Sequence, residues 1–195
     1  CRRQPIKGIS KMSRVMVAMS GGVDSSVAAA LMKEEGHEVV GVTLRLWGGE
    51  SDSGCCAISD VDDARRVCDA LNIEHHVFNM SDEFDHHVVD PYVSSHATGL
   101  TPNPCIECNR HIKFDLLHHR VQALGFDRLA TGHHARIASQ PDGTYRLARA
   151  IDSSKDQTYV LYMLDQSKLA TLDLPIGDLT KDQVRDLATQ LDLRT

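Results

Sequence analysis

A short apolar run, a turn of small residues and an alanine-rich segment together constrain this chain most. Residues 15–19, VMVAM, favour a buried strand, and residues 27–32, VAAALM, favour a helix. Between them lies SGGVDSS, residues 20–26, whose glycines allow a tight turn and a close approach of a ligand to the backbone. Free N–H groups at the start of the helix would point at bound negative charge. The stretch therefore predicts a strand, a loop that binds a phosphate or pyrophosphate, and a helix.

The loop matches neither of the two common nucleotide-binding patterns. It lacks the Gly-Lys-Ser/Thr of a Walker loop and the glycine spacing of a dinucleotide fingerprint. It does resemble, over residues 20–25, the PP-loop of the ATP pyrophosphatases, which cleave ATP between its α and β phosphates. That resemblance implies that Asp24 lies near the phosphates and helps to hold Mg²⁺. An ordinary Gly-Ser turn is the alternative interpretation.

Length and composition are typical of a soluble globular protein. The 195 residues suffice for one α/β domain and part of a second unit, and 42% of them are hydrophobic and 25% charged. The sequence has no apolar run of membrane-spanning length and no signal peptide before the first strand, so we expect a cytoplasmic protein without a membrane partner. Its six cysteines favour thiol, metal or redox chemistry over a disulfide framework.

Charge is unevenly distributed along the chain, although the formal total is −6. Residues 50–90 contain eleven acidic residues and two arginines, whereas residues 101–150 contain four acidic residues and seven lysines or arginines. A polyanion could bind the second stretch without a basic total. An ordinary solvated surface is the alternative.

Hydrophobic periodicity predicts alternating strands and helices after the first helix, and therefore an α/β fold. The first two strands, joined by a helix, should run parallel. We expect Cys68 to pack on the apolar face of its helix. The further predicted elements are a strand over 38–46, a loop over 47–56, a helix from Ser59, a strand over 75–79, a helix from Ser81 interrupted at Asp90-Pro91, irregular structure over 98–107, a helix from Cys108 to Leu124, a strand over 126–131, a hairpin around 141–143, a helix near Gln157–Leu164, and a helix capped by Thr180 and Gln183.

Residues 101–114, TPNPCIECNRHIKF, form a second informative stretch. Cys105 and Cys108 make a CxxC pair, and Cys108 is expected at the beginning of a helix. A helix N-terminus together with nearby Arg110 and Lys113 would favour the thiolate, which is the nucleophilic form. Cys108 is therefore a candidate nucleophile.

The spacing of these cysteines also permits other interpretations. The pair could be half of a zinc site, completed by His111 or by Cys55 and Cys56. It could also be a simple dithiol, or two loop cysteines without chemistry.

Six motifs in order identify a family that the chain resembles. They are SGGVDSS, GCC, DARRV, TPNPCIECNRHIKF, ATGHHARI and KDQTYVLY, and the match around them extends from about Ser13 to the end of the chain. In this order they resemble the tRNA-specific 2-thiouridylases. The resemblance implies a doubly wound, mainly parallel sheet of the PP-loop ATP pyrophosphatase, or adenine nucleotide alpha hydrolase-like, type. It also implies a reaction in which ATP adenylates the 2-oxo oxygen of the wobble uridine of tRNA, and sulfur from a cysteine persulfide then displaces AMP.

The same resemblance assigns roles to individual residues. Cys108 would be the first catalytic cysteine, and Asp24 would act beside the phosphates. Residues 133 and 134 could belong to this site or be surface histidines at a strand end. ATP would be held by Ala18, Met19, Ser20, Gly21, Gly22, Val23, Asp24, Ser25, Leu44 and Gly132, and tRNA would be contacted by Asn103, Pro104, Cys105, Lys155, Asp156 and Gln157.

The chain departs from the family pattern in two respects. Many members have aspartate at the position of Cys105, which leaves the role of this cysteine open. The second catalytic cysteine and a C-terminal β-barrel would follow Thr195, so we expect an N-terminal portion that binds ATP but does not thiolate alone. We divide it into a tail (1–12), a PP-loop catalytic domain (13–150) and the start of a helical tRNA-binding domain (151–195).

Cofactors and partners follow from the same resemblance. They are ATP, Mg²⁺, tRNA and a sulfur-donor protein. An iron–sulfur cluster with Cys105 and Cys108 among its ligands is an open alternative to persulfide chemistry. Two further functions remain as alternatives: a PP-loop enzyme with another acceptor, as in amide-forming synthetases, and a zinc-stabilised binding module.

Overall fold

A parallel sheet of five strands forms the centre of the fold. The computed structural model describes residues 12–46 and 58–193. The strands lie in the order β3-β2-β1-β4-β7, and every pairing in this sheet is parallel. They are β1 (Arg14–Ala18), β2 (Glu38–Arg45), β3 (Glu74–Asn79), β4 (Arg128–Thr131) and β7 (Leu172–Asp173). The predicted α/β fold with a mainly parallel sheet is therefore confirmed.

Helices cover both faces of this sheet, which gives the fold two hydrophobic cores. On one face, α1 (Val23–Glu34), α2 (Ile58–Ala70) and α8 (Lys181–Gln190) pack against Val15 and Val17. The other face, which includes Met16, carries α3 (Ser81–Phe84), α5 (Pro104–Glu107) and α6 (His118–Ala123), together with π-helical segments at Asp85–Val89 and Cys108–Leu117. α4 (Asp90–Ala97) follows the first π-helical segment and has no buried residue. The alternation along β1 is that of a strand buried on both faces. Within the described ranges, no helix combines the length and apolar character needed to cross a membrane.

The small residues of α1 allow this helix to pack closely against the sheet. Eight consecutive residues, 25–32, are buried, and three of them are alanines. A surface helix would expose part of each turn, so this helix lies inside the fold. Cys68 of α2 is fully buried on the same face, as predicted.

The helix from Ser81 is not interrupted at Pro91, so that prediction is wrong. α3, the π-helical segment Asp85–Val89 and α4 follow one another without a break. Pro91 has no N–H to donate and lies near the start of α4. Just before it, the N–H of Asp90 donates to the carbonyl of Asp85, so one wider turn carries the chain past the proline.

The helix that carries the CxxC pair begins four residues earlier than predicted. α5 starts at Pro104, with Asn103 as its N-cap accepting a hydrogen bond from the N–H of Cys105 at 3.0 Å. Proline is favoured at the first helical position because its missing N–H would have no partner there. The predicted irregular stretch 98–107 is therefore wrong at its end, and Cys108 lies one turn inside the helix instead of at its start.

Residues 151–193 pair with the sheet and pack against it. The predicted helix at Gln157–Leu164 is only a 3-10 turn, Thr158–Val160, while α7 (Gln166–Thr171) and β7 were not predicted. β7 pairs with β4, and α8 contributes Val184 and Ala188 to the core around α1. The assignment of this stretch to a separate tRNA-binding domain stays a prediction.

Other predicted elements are confirmed. β5 (Ala135–Ser139) and β6 (Tyr145–Arg149) form the expected antiparallel hairpin. Thr180 caps α8 through a reciprocal box with Gln183. The predicted loop over 47–56 and the tail at 1–11 lie outside the described residues.

We expect Thr180→Ala to lower the free energy of unfolding by about 1 kcal/mol, because it removes the side-chain cap of α8. Thr189→Ala is the matched control, since Thr189 is exposed near the other end of the same helix and bonds only a carbonyl four residues back. Urea unfolding of both variants measures the difference. Equal losses in the two variants would contradict a stabilising role for the cap.

Candidate functional site

The loop after β1 is held in shape by its serine hydroxyls. The N–H of Ser20 donates to Oγ of Ser25 at 3.1 Å, and the Ser25 hydroxyl donates to the carbonyl of Gly22 at 2.9 Å. Ser26 donates to the same carbonyl at 3.1 Å. Two serines in the first turn of α1 therefore bond back to the loop that precedes it.

Glycine is required at two positions around this loop. A Cβ on Gly21, whose φ is +75°, would lie 2.7 Å from the carbonyl oxygen of Asp60 at the start of α2. A Cβ on Gly132, which follows β4, would lie 2.6 Å from the backbone N of Ser25. Both distances are too short for any side chain. Gly132 therefore lies directly against the first turn of α1, as expected for a residue of the same site.

The N-terminus of α1 suits an anion. Its N-cap is Gly22, which makes no side-chain capping bond and is exposed. The first N–H groups of a helix have no partner within the helix, and together with the helix dipole they attract negative charge. The loop geometry is therefore compatible with a phosphate group, and phosphate binding stays a prediction.

Asp24 lies at the centre of a charged cluster beside this N-terminus. Nζ of Lys181 lies 2.6 and 2.7 Å from its two carboxylate oxygens, and Nε2 of His134 lies 3.3 Å from Oδ1. Burial alone would raise the pKa of Asp24, but the bonds to His134 and Lys181 outweigh it and hold that pKa below the ordinary value. Asp24 is therefore an anion that already attracts cations, which is the chemistry of a Mg²⁺ ligand.

His133 and His134 are buried, so the alternative of surface histidines is wrong. Burial, with the nearby charge of Lys113 adding to it, lowers the pKa of His133 to about 3, and its Nδ1 lies 2.8 Å from Oγ1 of Thr131. The ring of Phe114 lies 5.7 Å from the His133 ring. The end of β4 therefore joins the loop site on one side to the helix of the second motif on the other.

The CxxC residues differ in exposure. Cys105 is exposed in the first turn of α5, and Cys108 is half-buried one turn later. Asn109 is buried and donates to the carbonyl of Cys105 at 2.9 Å. Arg110 holds Glu107 at 3.1 Å and donates to the Tyr162 hydroxyl at 2.8 Å, which links this helix to the last motif.

Other predicted contact residues occupy different surroundings. Leu44 is 4% exposed in the core that also contains Ile112, so its contact with adenosine stays a prediction. Met19 is buried and donates from its N–H to the carbonyl of Val42 at 2.8 Å. Ala18 and Val23 flank the loop and are half-buried.

Within the predicted RNA-contact segment, only Lys155 is exposed. The carboxylate of Asp156 accepts from the Ala150 N–H at 2.9 Å and from the Thr158 hydroxyl at 2.6 Å. Gln157 bonds the main chain of His134. Asp156 and Gln157 thus use their polar atoms inside the fold.

Two cavities lie away from the loop. One of about 680 Å³ is lined by Arg14, Glu38 and Glu74, which begin β1, β2 and β3, at the opposite end of the strands. Another of about 250 Å³ is lined by Arg110, Phe114 and neighbouring residues. Neither lining includes Gly21 or Cys108 among the described residues, so a shared cavity between them stays a prediction.

A metal site around the CxxC pair is not complete within residues 12–46 and 58–193. In these ranges, no group of three or more histidine, cysteine, aspartate or glutamate side chains is placed to hold a metal. His111 instead lies 3.3 Å from Glu107 and stacks on His87. Cys55 and Cys56, the other candidate zinc ligands, lie outside the described residues. The described residues therefore do not by themselves fit a zinc ion or an iron–sulfur cluster.

Lys181 is the residue of this site that sequence analysis missed. It is the first residue of α8, 157 positions after Asp24, and its side chain is 18% exposed. The only local signal was the capping box at Thr180 and Gln183, which predicts where the helix starts but not which residues Lys181 contacts. Contact between α8 and α1 is what brings this ammonium group to the loop.

We expect iodoacetamide at about pH 8 to modify Cys105 at least about 100-fold faster than Cys68, because the thiolate is the reactive form. Burial raises the pKa of Cys68 to about 12, whereas Cys105 is exposed. Peptide mapping by mass spectrometry gives the two rates, and unfolding in guanidinium should equalise them. Equal rates in the folded chain would contradict the burial of Cys68.

Comparisons with known proteins agree with the motifs. The family model described as tRNA methyl transferase HUP domain matches residues 13–195. The tRNA-specific 2-thiouridylase MnmA of Chloroflexus aggregans is 54% identical over 181 residues, an alignment that covers 91% of this chain and 50% of that protein. The chain spans about half the length of the curated relatives it matches, 50 to 52% for three of them.

Solved structures share the fold at low sequence identity. The U34-tRNA thiolase NcsA of Methanococcus maripaludis, with its 4Fe-4S cluster, superposes with a TM-score of 0.60 at 20% identity, over 95% of this chain and 59% of that one. A glutamine-dependent NAD⁺ synthetase of Acinetobacter baumannii gives 0.56 at 16% identity, over 93% and 29%. These likenesses concern the fold alone. Because the family model covers residues 13–195, the chain belongs to the tRNA methyl transferase HUP domain family.

Proposed function

We propose that this chain is the ATP-binding catalytic portion of a tRNA-specific 2-thiouridylase. The observation that carries the proposal is the uncapped N-terminus of α1, with Asp24, Lys181 and His134 grouped beside it. Backbone N–H groups and an ammonium group bind phosphate oxygens, and a carboxylate binds Mg²⁺. A curated relative at 54% identity is a tRNA-specific 2-thiouridylase, which supports tRNA as the second substrate.

In this proposal, the loop residues Ser20 to Ser25 hold the polyphosphate of ATP against the start of α1. Lys181 would pair with the phosphates after ATP displaces it from Asp24, because both anions compete for one ammonium group. Asp24 would hold Mg²⁺, which when bound offsets the negative charge on the phosphates. Gly132 lets the chain after β4 lie directly against the backbone of Ser25, since a Cβ there would clash with it.

The chemistry then proceeds in two displacements. The 2-oxo oxygen of the uridine attacks the α phosphorus of ATP, and pyrophosphate leaves. The adenylated oxygen is now part of a good leaving group, so a sulfur nucleophile can add to C2 and expel AMP. Electrostatic stabilisation of the charge on phosphorus by Lys181 and the α1 backbone would lower the first barrier.

Cys108 carries the sulfur in this proposal, as a persulfide whose outer sulfur comes from a sulfur-donor protein. That outer sulfur bonds to C2 as AMP leaves. The thiolate of the second catalytic cysteine expected from the resemblance then attacks the Cys108 sulfur, so the S–S bond breaks, 2-thiouridine is released and the two cysteines form a disulfide that an external thiol reduces. Its helix is joined to the loop site through Phe114 and His133, and to the last motif through Arg110 and Tyr162. Asn103, Pro104 and Cys105 would face the target base, and Lys155 would contact the tRNA backbone. An iron–sulfur cluster would need further ligands beyond Cys105 and Cys108. A cytoplasmic location fits a substrate that is tRNA.

We expect Asp24→Ala to weaken Mg²⁺-dependent ATP binding by about 100-fold, equivalent to roughly 3 kcal/mol, because the cation loses its carboxylate ligand. Isothermal titration with excess Mg²⁺ measures this. Asp142→Ala is the control, since Asp142 lies in the exposed hairpin turn and bonds only Thr144. An unchanged affinity in Asp24→Ala would rule out Asp24 as part of the nucleotide site.

We expect Cys108→Ser to abolish 2-thiouridine formation by a full-length protein that carries this chain, while ATP cleavage persists. A serine hydroxyl cannot form a persulfide, but it leaves the nucleotide loop intact. Cys105→Asp is the control and should retain thiolation, because many family members have aspartate there. Normal thiolation by Cys108→Ser would eliminate the nucleophile assignment, and ATP turnover unaffected by tRNA would favour another acceptor.

A further inference from the structure

One short segment bonds the main chain of both residues that hold Asp24. Residues 152–157 form the connection between the hairpin and the 3-10 turn, and we call them the coupling segment. At its end, Oε1 of Gln157 accepts from the N–H of His134 at 2.8 Å, and the N–H of Gln157 donates to the carbonyl of His134 at 2.9 Å. Two bonds therefore fix the peptide groups of the histidine whose ring faces Asp24.

The beginning of the segment holds the other partner. Oδ2 of Asp152 accepts from the N–H of Lys181 at 2.9 Å. Its Oδ1 accepts from the N–H and hydroxyl of Ser154 at 3.0 and 2.6 Å, which closes a tight turn. These bonds hold the pKa of Asp152 below its ordinary value, the Ser154 hydroxyl contributing most. Asp152 is thus an anion that fixes both the segment and the start of α8.

The middle of the segment is exposed, while the residues on either side of it are held by hydrogen bonds. Lys155 is exposed, and its N–H donates to the carbonyl of Asp152 at 3.1 Å. Asp156 is anchored to Ala150 and Thr158 by both carboxylate oxygens. A ligand that contacts Lys155 therefore contacts a stiff turn whose two ends bond His134 and Lys181.

We propose that the coupling segment transmits RNA contact at Lys155 to the nucleotide site by positioning His134 and Lys181 against Asp24. The proposal rests on the proposed function and adds the route by which the two substrates influence each other. Asp152 and Gln157 are positioning residues in this scheme. They act through Lys181 and His134, and they do not themselves contact RNA.

The bonds of Gln157 and Asp156 favour positioning over direct contact. To bind RNA through Oε1, Gln157 would have to release the N–H of His134, which is buried and would lose its partner. Leaving a buried donor unpaired is unfavourable, because the N–H has lost its water and gains no other partner. Lys155 can contact RNA without breaking a hydrogen bond of its side chain inside the fold, so it is the residue of the segment that contacts RNA most readily.

A coupling of this kind is reciprocal. If RNA binding changes the affinity for ATP by some factor, ATP must change the affinity for RNA by the same factor. The factor is measurable without catalysis, by titrating an α,β-methylene ATP analogue with Mg²⁺ in the presence and absence of an RNA. A suitable RNA is an anticodon stem-loop with an unmodified uridine at the wobble position.

We expect Gln157→Met and Asp152→Asn to reduce the coupling factor towards one, while RNA affinity without nucleotide stays within about twofold of that of the unsubstituted chain. Methionine keeps the volume of Gln157 without its acceptor oxygen. Gln157→Glu keeps an acceptor and should preserve coupling. Asp142→Asn is the matched control for Asp152→Asn, since Asp142 makes a similar turn, with Thr144, in the exposed hairpin.

Three outcomes would overturn the proposal. Loss of RNA affinity in Gln157→Met with the coupling factor intact would make Gln157 a direct contact. A chain that binds the ATP analogue with no influence from RNA would remove the coupling but leave the nucleotide site standing. Failure of the unsubstituted chain to bind the analogue at all would instead overturn the proposed function.

Lys155→Glu, an exposed change that should not affect folding, is expected to weaken RNA affinity at least about tenfold, and an unchanged affinity would also count against the proposal.

Discussion

The ion pair between Asp24 and Lys181 is the interaction around which this site is built. It joins the first turn of α1 to the first turn of α8, so it connects the beginning and the end of the described chain. The carboxylate is about one-third exposed and the ammonium group less so, which makes the pair stronger than a surface ion pair. It keeps a negative charge beside the uncapped N-terminus of α1.

The parallel sheet explains why so many functional groups converge on that pair. In a parallel sheet, the carboxyl ends of the strands meet at one edge, where the loops that follow them carry the ligand site. β1 delivers Asp24 and β4 delivers Gly132, His133 and His134 to this edge. The close approach of Gly132 to Ser25 then brings the two loops into backbone contact.

The second motif reaches the same region from the other face of the sheet. Its helix buries Ile112, Phe114 and Leu117 in the core opposite α1, and the Phe114 ring contacts His133. One buried histidine with a low pKa therefore lies between the phosphate loop and the cysteine helix. Burial lowers the pKa of His133, so its ring is neutral where it lies beside Phe114.

The sequence alone determined what depends on neighbouring residues. The strand, loop and helix around residues 15–32, the hairpin around residues 141–143 and the cap at Thr180 were predictable, because turn chemistry and capping act over a few positions. The start of α5 was missed because two prolines suggested a loop, whereas Pro104 fits the first helical position behind Asn103. Only the tertiary structure decided that Lys181 pairs with Asp24, 157 positions away, and that Gln157 bonds the main chain of His134, 23 positions away. Packing of α8 and the coupling segment brings these residues together. Periodicity and motifs carry no record of such distant pairs, because they arise only when the sheet has brought the separate loops to one edge.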